Sequence, residues 1–102
     1  MLESNTHIAL VLDKADNVAT LLEDCSAGDT IRLKGTGETL ITVDSVPAGH
    51  KIAVSPVPAG HDIIKYGQKI GISTRDIQSG EWVHLHNMKS AYDEDFKQRI
   101  EQ

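Results

Sequence analysis

Apolar residues come in short bursts along this chain, and turn residues separate them. Residues 7–12, HIALVL, make an apolar run that stops at Asp13, with the length and flanks of a strand. In Asp16-Asn17-Val18-Ala19-Thr20-Leu21-Leu22, Asp16 is a candidate N-cap, and Val18, Leu21 and Leu22 share a face at helical spacing. The pattern predicts a short helix that ends between Cys25 and Gly28. Thr30-Ile31-Arg32-Leu33-Lys34 alternates and reads as a strand. Gly35-Thr36-Gly37 turns the chain into a second strand within residues 38–43, completing a hairpin.

The middle of the chain repeats itself. Val46-Pro47-Ala48-Gly49-His50-Lys51-Ile52 is followed by Val57-Pro58-Ala59-Gly60-His61-Asp62-Ile63, and more loosely by Ile77-Gln78-Ser79-Gly80-Glu81-Trp82-Val83. Each copy reads as a tight turn that needs a positive φ at glycine and then enters a strand. The copies are too short and too unevenly spaced for a solenoid. They predict a compact β structure with repeated sharp corners. Tyr66-Gly67 marks another corner. Gly71, inside the short strand Ile70-Gly71-Ile72, predicts a bulge or the close approach of another backbone. Ala91, Phe96 and Ile100 recur at helical spacing in a charged surround, which predicts a C-terminal helix over residues 90–100.

Composition narrows the function classes. The chain has 102 residues, enough for one domain and a modest core, so a partner or self-association would help it. Its net charge of −5 argues against nucleic-acid binding. The single cysteine, Cys25, excludes an internal disulfide and has no basic neighbour in sequence to activate it, so a structural role is expected. No stretch approaches the roughly 20 apolar residues that span a bilayer, and the first residues lack a signal-peptide pattern. A cytoplasmic protein with no membrane role is expected.

The candidate chemistry lies in the histidines, of which there are five. His84 and His86, two apart on an expected strand, would project from one face and could together hold a divalent metal. Taken alone, such a pair is more often two polar residues at a solvated strand end. A third ligand would have to come from elsewhere, with His50 or another chain as the sources. His50 and His61 follow turn glycines and are exposed by position. Lys51 and Lys65 could pair with a carboxylate, although single lysines are usually just solvated. Tyr66 reads as a packing residue with its hydroxyl at the edge. Trp82 reads equally as the wall of a site or as a core anchor.

Four segments in order carry a resemblance. They are Asp16-Asn17-Val18-Ala19, then Val46-Pro47-Ala48-Gly49-His50-Lys51-Ile52-Ala53, then Ile64-Lys65-Tyr66-Gly67-Gln68-Lys69-Ile70-Gly71, and Gly80-Glu81-Trp82-Val83-His84-Leu85-His86-Asn87. Together they resemble the N-terminal SAF-type domain of the altronate and galactarate dehydratase family, over residues 7–88, with residues 89–102 as a separate helical tail. The resemblance implies a mainly β, SAF-type β-clip fold, to which the patterns above add one short N-terminal helix and the C-terminal helix. It implies the small subunit of a sugar-acid dehydratase, a lyase inactive alone and paired with a large catalytic subunit, with homo-oligomerisation possible. It also implies a divalent metal such as Fe2+, held mainly by that large subunit. His50, His84 and His86 are the implied catalytic residues, and His84 and His86 the metal ligands. Lys51, Lys65, Tyr66 and Asn87 are the implied substrate-binding residues, Asn87 orienting a histidine. The alternatives are the small subunit of a sulfolactate sulfo-lyase, which expels sulfite, and a non-catalytic SAF module for carbohydrate binding or assembly. The sequence departs from the family around Ser55-Pro56-Val57-Pro58-Ala59-Gly60-His61, where prolines and His61 replace a charged pair and a glutamate. No role carries over to His61.

Overall fold

The computed structural model describes residues 5–90. The described residues form nine strands: β1 (Thr6–Leu10), β2 (Val18–Leu21), β3 (Thr30–Lys34), β4 (Thr39–Ile41), β5 (Lys51–Ala53), β6 (Asp62–Lys65), β7 (Gln68–Ser73), β8 (Trp82–Val83) and β9 (Met88–Ser90). A six-stranded sheet runs β4-β3-β1-β2-β5-β8, and a three-stranded sheet runs β6-β7-β9. Only the β1 and β3 pairing is parallel. The expected β3–β4 hairpin forms, with Ile31 opposite Leu40.

The helix expected after Asp16 is a strand instead. The reason lies in two hydrophobic cores that share β2 and β5. Ala19, Leu21 and Ile52 pack into the first core with Ala9, Ile31, Leu33 and Val46. Val18 and Ala53 pack into the second with Val57, Ile63, Ile77 and Val83. A strand buried on both faces shows a near-continuous apolar run rather than alternation. That run also satisfies the i, i+3, i+4 template of a helix. The other expected helix falls on residues 90–100, outside the described residues except for Ser90, which closes β9.

The turn motif occurs four times, not three. Cys25-Ser26-Ala27-Gly28-Asp29-Thr30-Ile31 precedes the copies read from sequence, and the four glycines share φ values of 92°, 84°, 84° and 87°. The copies lock in pairs. Cys25 and Val46 exchange both backbone hydrogen bonds, and so do Val57 and Ile77. The residue before each of three of these apolar positions caps the partner turn. Asp24 accepts from the Ala48 N–H at 2.8 Å, Ser45 from Ala27 at 3.3 Å, and Asp76 from Ala59 at 2.9 Å. The fourth place is Pro56, which has no such side chain.

This pairing explains which residue can follow the glycine. In the first and last copies, the N–H of Ser26 and Gln78 is accepted by the carboxylates of Asp29 and Glu81, at 2.8 and 2.7 Å. In the middle copies that position is Pro47 or Pro58, which has no N–H to satisfy. The post-glycine residue is released from capping there, and both times it is a histidine.

Gly71 shows both features expected of it. A Cβ there would lie 2.5 Å from the Lys89 carbonyl oxygen, and the β6–β7 register slips beside it between Ile63 and Ile64. Among the described residues, no helix is long and apolar enough to cross a membrane.

Candidate functional site

Three of the five histidines gather around Trp82. The indole stacks on His84 with ring centroids 5.5 Å apart and planes 16° apart. It meets His86 edge-on at 5.6 Å and His50 edge-on at 5.4 Å. His50 and His84 lie 5.1 Å apart, tilted by 60°. Each part is fixed by backbone chemistry. His50 follows the second turn, where its N–H meets the Pro47 carbonyl at 3.2 Å and its own carbonyl accepts from Leu21 at 2.9 Å. The Trp82 N–H donates to Asp44 Oδ2 at 3.0 Å, and β8 pairs with β5 at Ile52. The indole Nε1 is buried and has no hydrogen-bond partner among the described residues.

The expected strand through His84 and His86 ends at Val83, and residues 84–87 form a turn instead. Asn87 makes that turn. It is fully buried, its Oδ1 accepts from the His84 N–H at 3.0 Å, and its Nδ2 donates to the Trp82 carbonyl at 2.8 Å. Its backbone N–H closes onto the His84 carbonyl at 3.0 Å. A side chain so engaged replaces the next strand bonds and bends the chain away. In this structure Asn87 shapes the site from beneath and does not line it, so the substrate-binding place expected for it does not follow from the geometry. The two imidazoles therefore do not project as strand neighbours; His84 stacks on the indole and His86 meets it edge-on.

Cations border this cluster. Burial holds the half-buried Lys51 ammonium below the usual lysine range, and the positive charge of Lys65 pushes the same way. Burial also pushes His84 below its ordinary range, reinforced by the charges of His50, Lys51 and His86. His84 is therefore a neutral imidazole near neutral pH, able to accept a proton. Lys65 lies with its Nζ 4.9 Å from the Tyr66 ring centroid, and the Tyr66 hydroxyl reaches Thr20 Oγ1 at 3.5 Å.

Two residues first read as a helix start hold that second half of the site in place. Buried Asp16 accepts from the Gly67 N–H at 2.8 Å, and from Leu12 and Asp13 at 3.2 Å. Burial works to raise its pKa, but these N–H groups and that of Tyr66 outweigh it and hold the carboxyl below its usual range. Tyr66 needs this grip, because its φ of 53° is left-handed and unusual for a bulky residue. Asn17 clips the free side of β6. It accepts from the Ile64 N–H at 2.7 Å and donates to the Asp62 carbonyl at 2.8 Å. Together they fix the Lys65-Tyr66 corner above Thr20. The sequence signal was a polar pair before an apolar run, and Thr20 was the one polar residue within that run.

Other candidates stay outside. His61 lies with Asn17, Pro56, Pro58 and Asp62 along a separate shallow cleft. Cys25 is buried and its backbone serves the turn pairing. Among the described residues, no three His, Cys, Asp or Glu side chains are disposed to hold a metal ion. The imidazoles alone do not make a complete metal site.

The described residues thus form two β-sheets with paired glycine turns and an imidazole–lysine surface, a small domain with acid–base and anion-binding chemistry to offer. The sequence profile described as "Altronate/galactarate dehydratase SAF domain" matches residues 7–91, and the chain belongs to that family. It is 38% identical over 79 residues to altronate dehydratase of Bacillus subtilis, covering 78% of this chain and 16% of the relative. It is 36% identical over 75 residues to altronate dehydratase of Escherichia coli, covering 74% of this chain and 15% of that protein. It is also 40% identical over 47 residues to the (2R)-sulfolactate sulfo-lyase subunit alpha of Chromohalobacter salexigens, covering 46% of this chain and 50% of the subunit. The chain thus spans about a sixth of the altronate dehydratases it matches.

Proposed function

We propose that this chain is the small component of a sugar-acid dehydratase and acts only with a larger catalytic chain or domain in the cytoplasm. The observation that carries the reading is the packing of His50, His84 and His86 around one indole beside Lys51 and Lys65, in a chain whose net charge is −5. Lys51 and Lys65 receive the substrate carboxylate, with Tyr66 at the edge. Neutral His84 accepts the proton α to that carboxylate. The freed electron pair forms the C=C bond as the β C–O bond breaks, and His50 protonates the departing hydroxyl as water. The enol product tautomerises to a 2-keto-3-deoxy acid. A divalent metal, Fe2+ by family resemblance, would supply electrostatic stabilisation of the developing negative charge. Its ligands would come mainly from the larger partner, with His86 as an additional donor, because the His84 nitrogen that takes the proton cannot also ligate.

A specific observation favours a second reading. The sulfo-lyase alpha subunits are matched over 50% and 67% of their length, against 15% and 16% of the altronate dehydratases. The small-subunit format therefore fits a carbon–sulfur lyase as well. Sulfite release from sulfolactate, against keto-acid formation from altronate or galactarate, separates the two. In the assembled enzyme, His84→Ala and His50→Ala should each lower kcat about 100-fold or more, the range for losing a general acid or base. Full activity in both variants would overturn the site assignment and favour a non-catalytic module.

A further inference from the structure

The six-stranded sheet has a second face, turned away from the first core; the second core covers it at Val18 and Ala53, and it is open over β1 and β3. Its middle is apolar: Ile8 is 40% exposed, and Leu22, whose N–H donates to the Ile8 carbonyl, is 51% exposed. Leu10 follows Ile8 on the same side of β1 and is half-buried. Cations flank these residues. Parallel pairing puts Arg32 beside Ile8 and Lys34 beside Leu10, while Thr20 joins Leu10 to Lys51. The outward strand positions of this face hold no carboxylate, in a chain with an excess of five negative charges. Glu23, next to Leu22, is drawn to His7 at 3.0 Å. Lys51 closes one end of the face, and its charge reaches His84.

We infer that this face, centred on Ile8, Leu10 and Leu22 and rimmed by Arg32, Lys34 and Lys51, is where the larger lyase chain or domain docks. The inference rests on the proposed function and adds the surface. Two facts select this occupant. The altronate dehydratases matched here are about six times longer than the matched segment, so most of their chain lies beyond a domain of this kind. The face also runs through Thr20 to Lys51, which neighbours His50 in sequence and acts on His84 by its charge, so a partner seated there comes up to the border of the imidazole cluster. The charge pattern sets the chemistry of the matching surface: an apolar centre ringed by aspartates and glutamates.

The test uses the protein and the larger chain recovered with it from its own cells, once mass spectrometry identifies that chain as the rest of an altronate- or galactarate-type lyase. Binding is measured for Ile8→Glu, Arg32→Glu and, as control, Arg75→Glu, an exposed cation beyond β7. Both face positions are exposed, and far-UV circular dichroism verifies folding. The expected result is binding at least tenfold weaker for the two face variants and unchanged for the control. Hydrogen exchange should slow over β1 and β3 in the complex. Tight binding by folded face variants, or protection confined to other strands, overturns the docking surface and leaves the proposed function standing. Recovery of no lyase chain overturns both. A free chain that dimerises and becomes monomeric on Ile8→Glu assigns the face to a second copy and also overturns the inference.

Discussion

Asp16 and His7 set the charge chemistry that the folded chain depends on. The Asp16 carboxylate is buried and answers backbone N–H groups from two separate corners. Removing it leaves those donors without their acceptor, a loss of about 1–3 kcal/mol for buried groups. Asp16→Ala should show that loss in urea unfolding at pH 7, with the Lys65-Tyr66 corner loosened. The sign follows from the depressed carboxyl: its contribution is present above the unfolded pKa and is lost as pH falls through the folded one. His7 works the other way. Its hydrogen bond to Glu23 raises its pKa, burial opposes that, and Asp29, 3.0 Å from Nε2, adds to the rise. Its stabilisation is complete below the ordinary histidine value of about 6.5 and fades as pH rises through the folded value. Stability measured from pH 6 to 8.5 should therefore fall more steeply for the natural protein than for His7→Gln. Equal slopes would show that the bridge carries no proton-linked energy.

The repeated turn is the element that decides where histidines stand. Proline in the middle copies removes an N–H that the outer copies must cap with Asp29 or Glu81. Pro58→Ser should restore that donor and gain from His61→Asp. The double variant should be more stable than the sum of the single changes by about 0.5–1.5 kcal/mol, the worth of one net hydrogen bond. Additive single effects would refute this account of the motif. The turn at residues 84–87 rests on one buried amide. Asn87→Ala should cost about 1–3 kcal/mol through unpaired backbone groups at His84 and Trp82. Because the chain has a single tryptophan, the same variant should change the indole fluorescence as His84 leaves its stack. An unaltered spectrum would mean that Asn87 does not hold that geometry.

At the scale of the whole molecule, β2 and β5 tie two cores into one unit. Val18 and Ala53 serve one core while Ala19, Leu21 and Ile52 serve the other. Neither core can come apart without exposing the far side of both strands. Unfolding followed by Trp82 fluorescence and by circular dichroism should give one coincident transition. Ile52→Ala, at a fully buried position, should lower stability by about 2–5 kcal/mol without splitting that transition. Separate midpoints for the two signals would mean that the cores unfold independently. The same sharing explains what could be read in advance. The β3–β4 hairpin and three of the turns carry local signals, alternation and glycine, that need no tertiary knowledge. Val18 to Leu21 does not, since a doubly buried strand and a helix face leave the same apolar trace. The turn at Ala27-Gly28-Asp29 carries the same glycine signal, but it lacks proline and histidine and directly follows the expected helix, so its kinship with the other copies was hidden.

The sequence by itself determined the corners, most of the strands and the family, and it singled out the histidines and lysines of the candidate site. These follow from backbone preferences and residue chemistry, which are local properties. It left open how those residues meet. His84 and His86 are two apart in sequence, yet a buried asparagine bends the chain so that one stacks on Trp82 and the other meets it edge-on, and His50 arrives from a different turn to lie 5.1 Å from His84. Asp16 and Asn17 hold a corner some fifty residues further along the chain. Such contacts are set by sheet order and by the burial of polar groups that must find partners, so only the tertiary structure decided them.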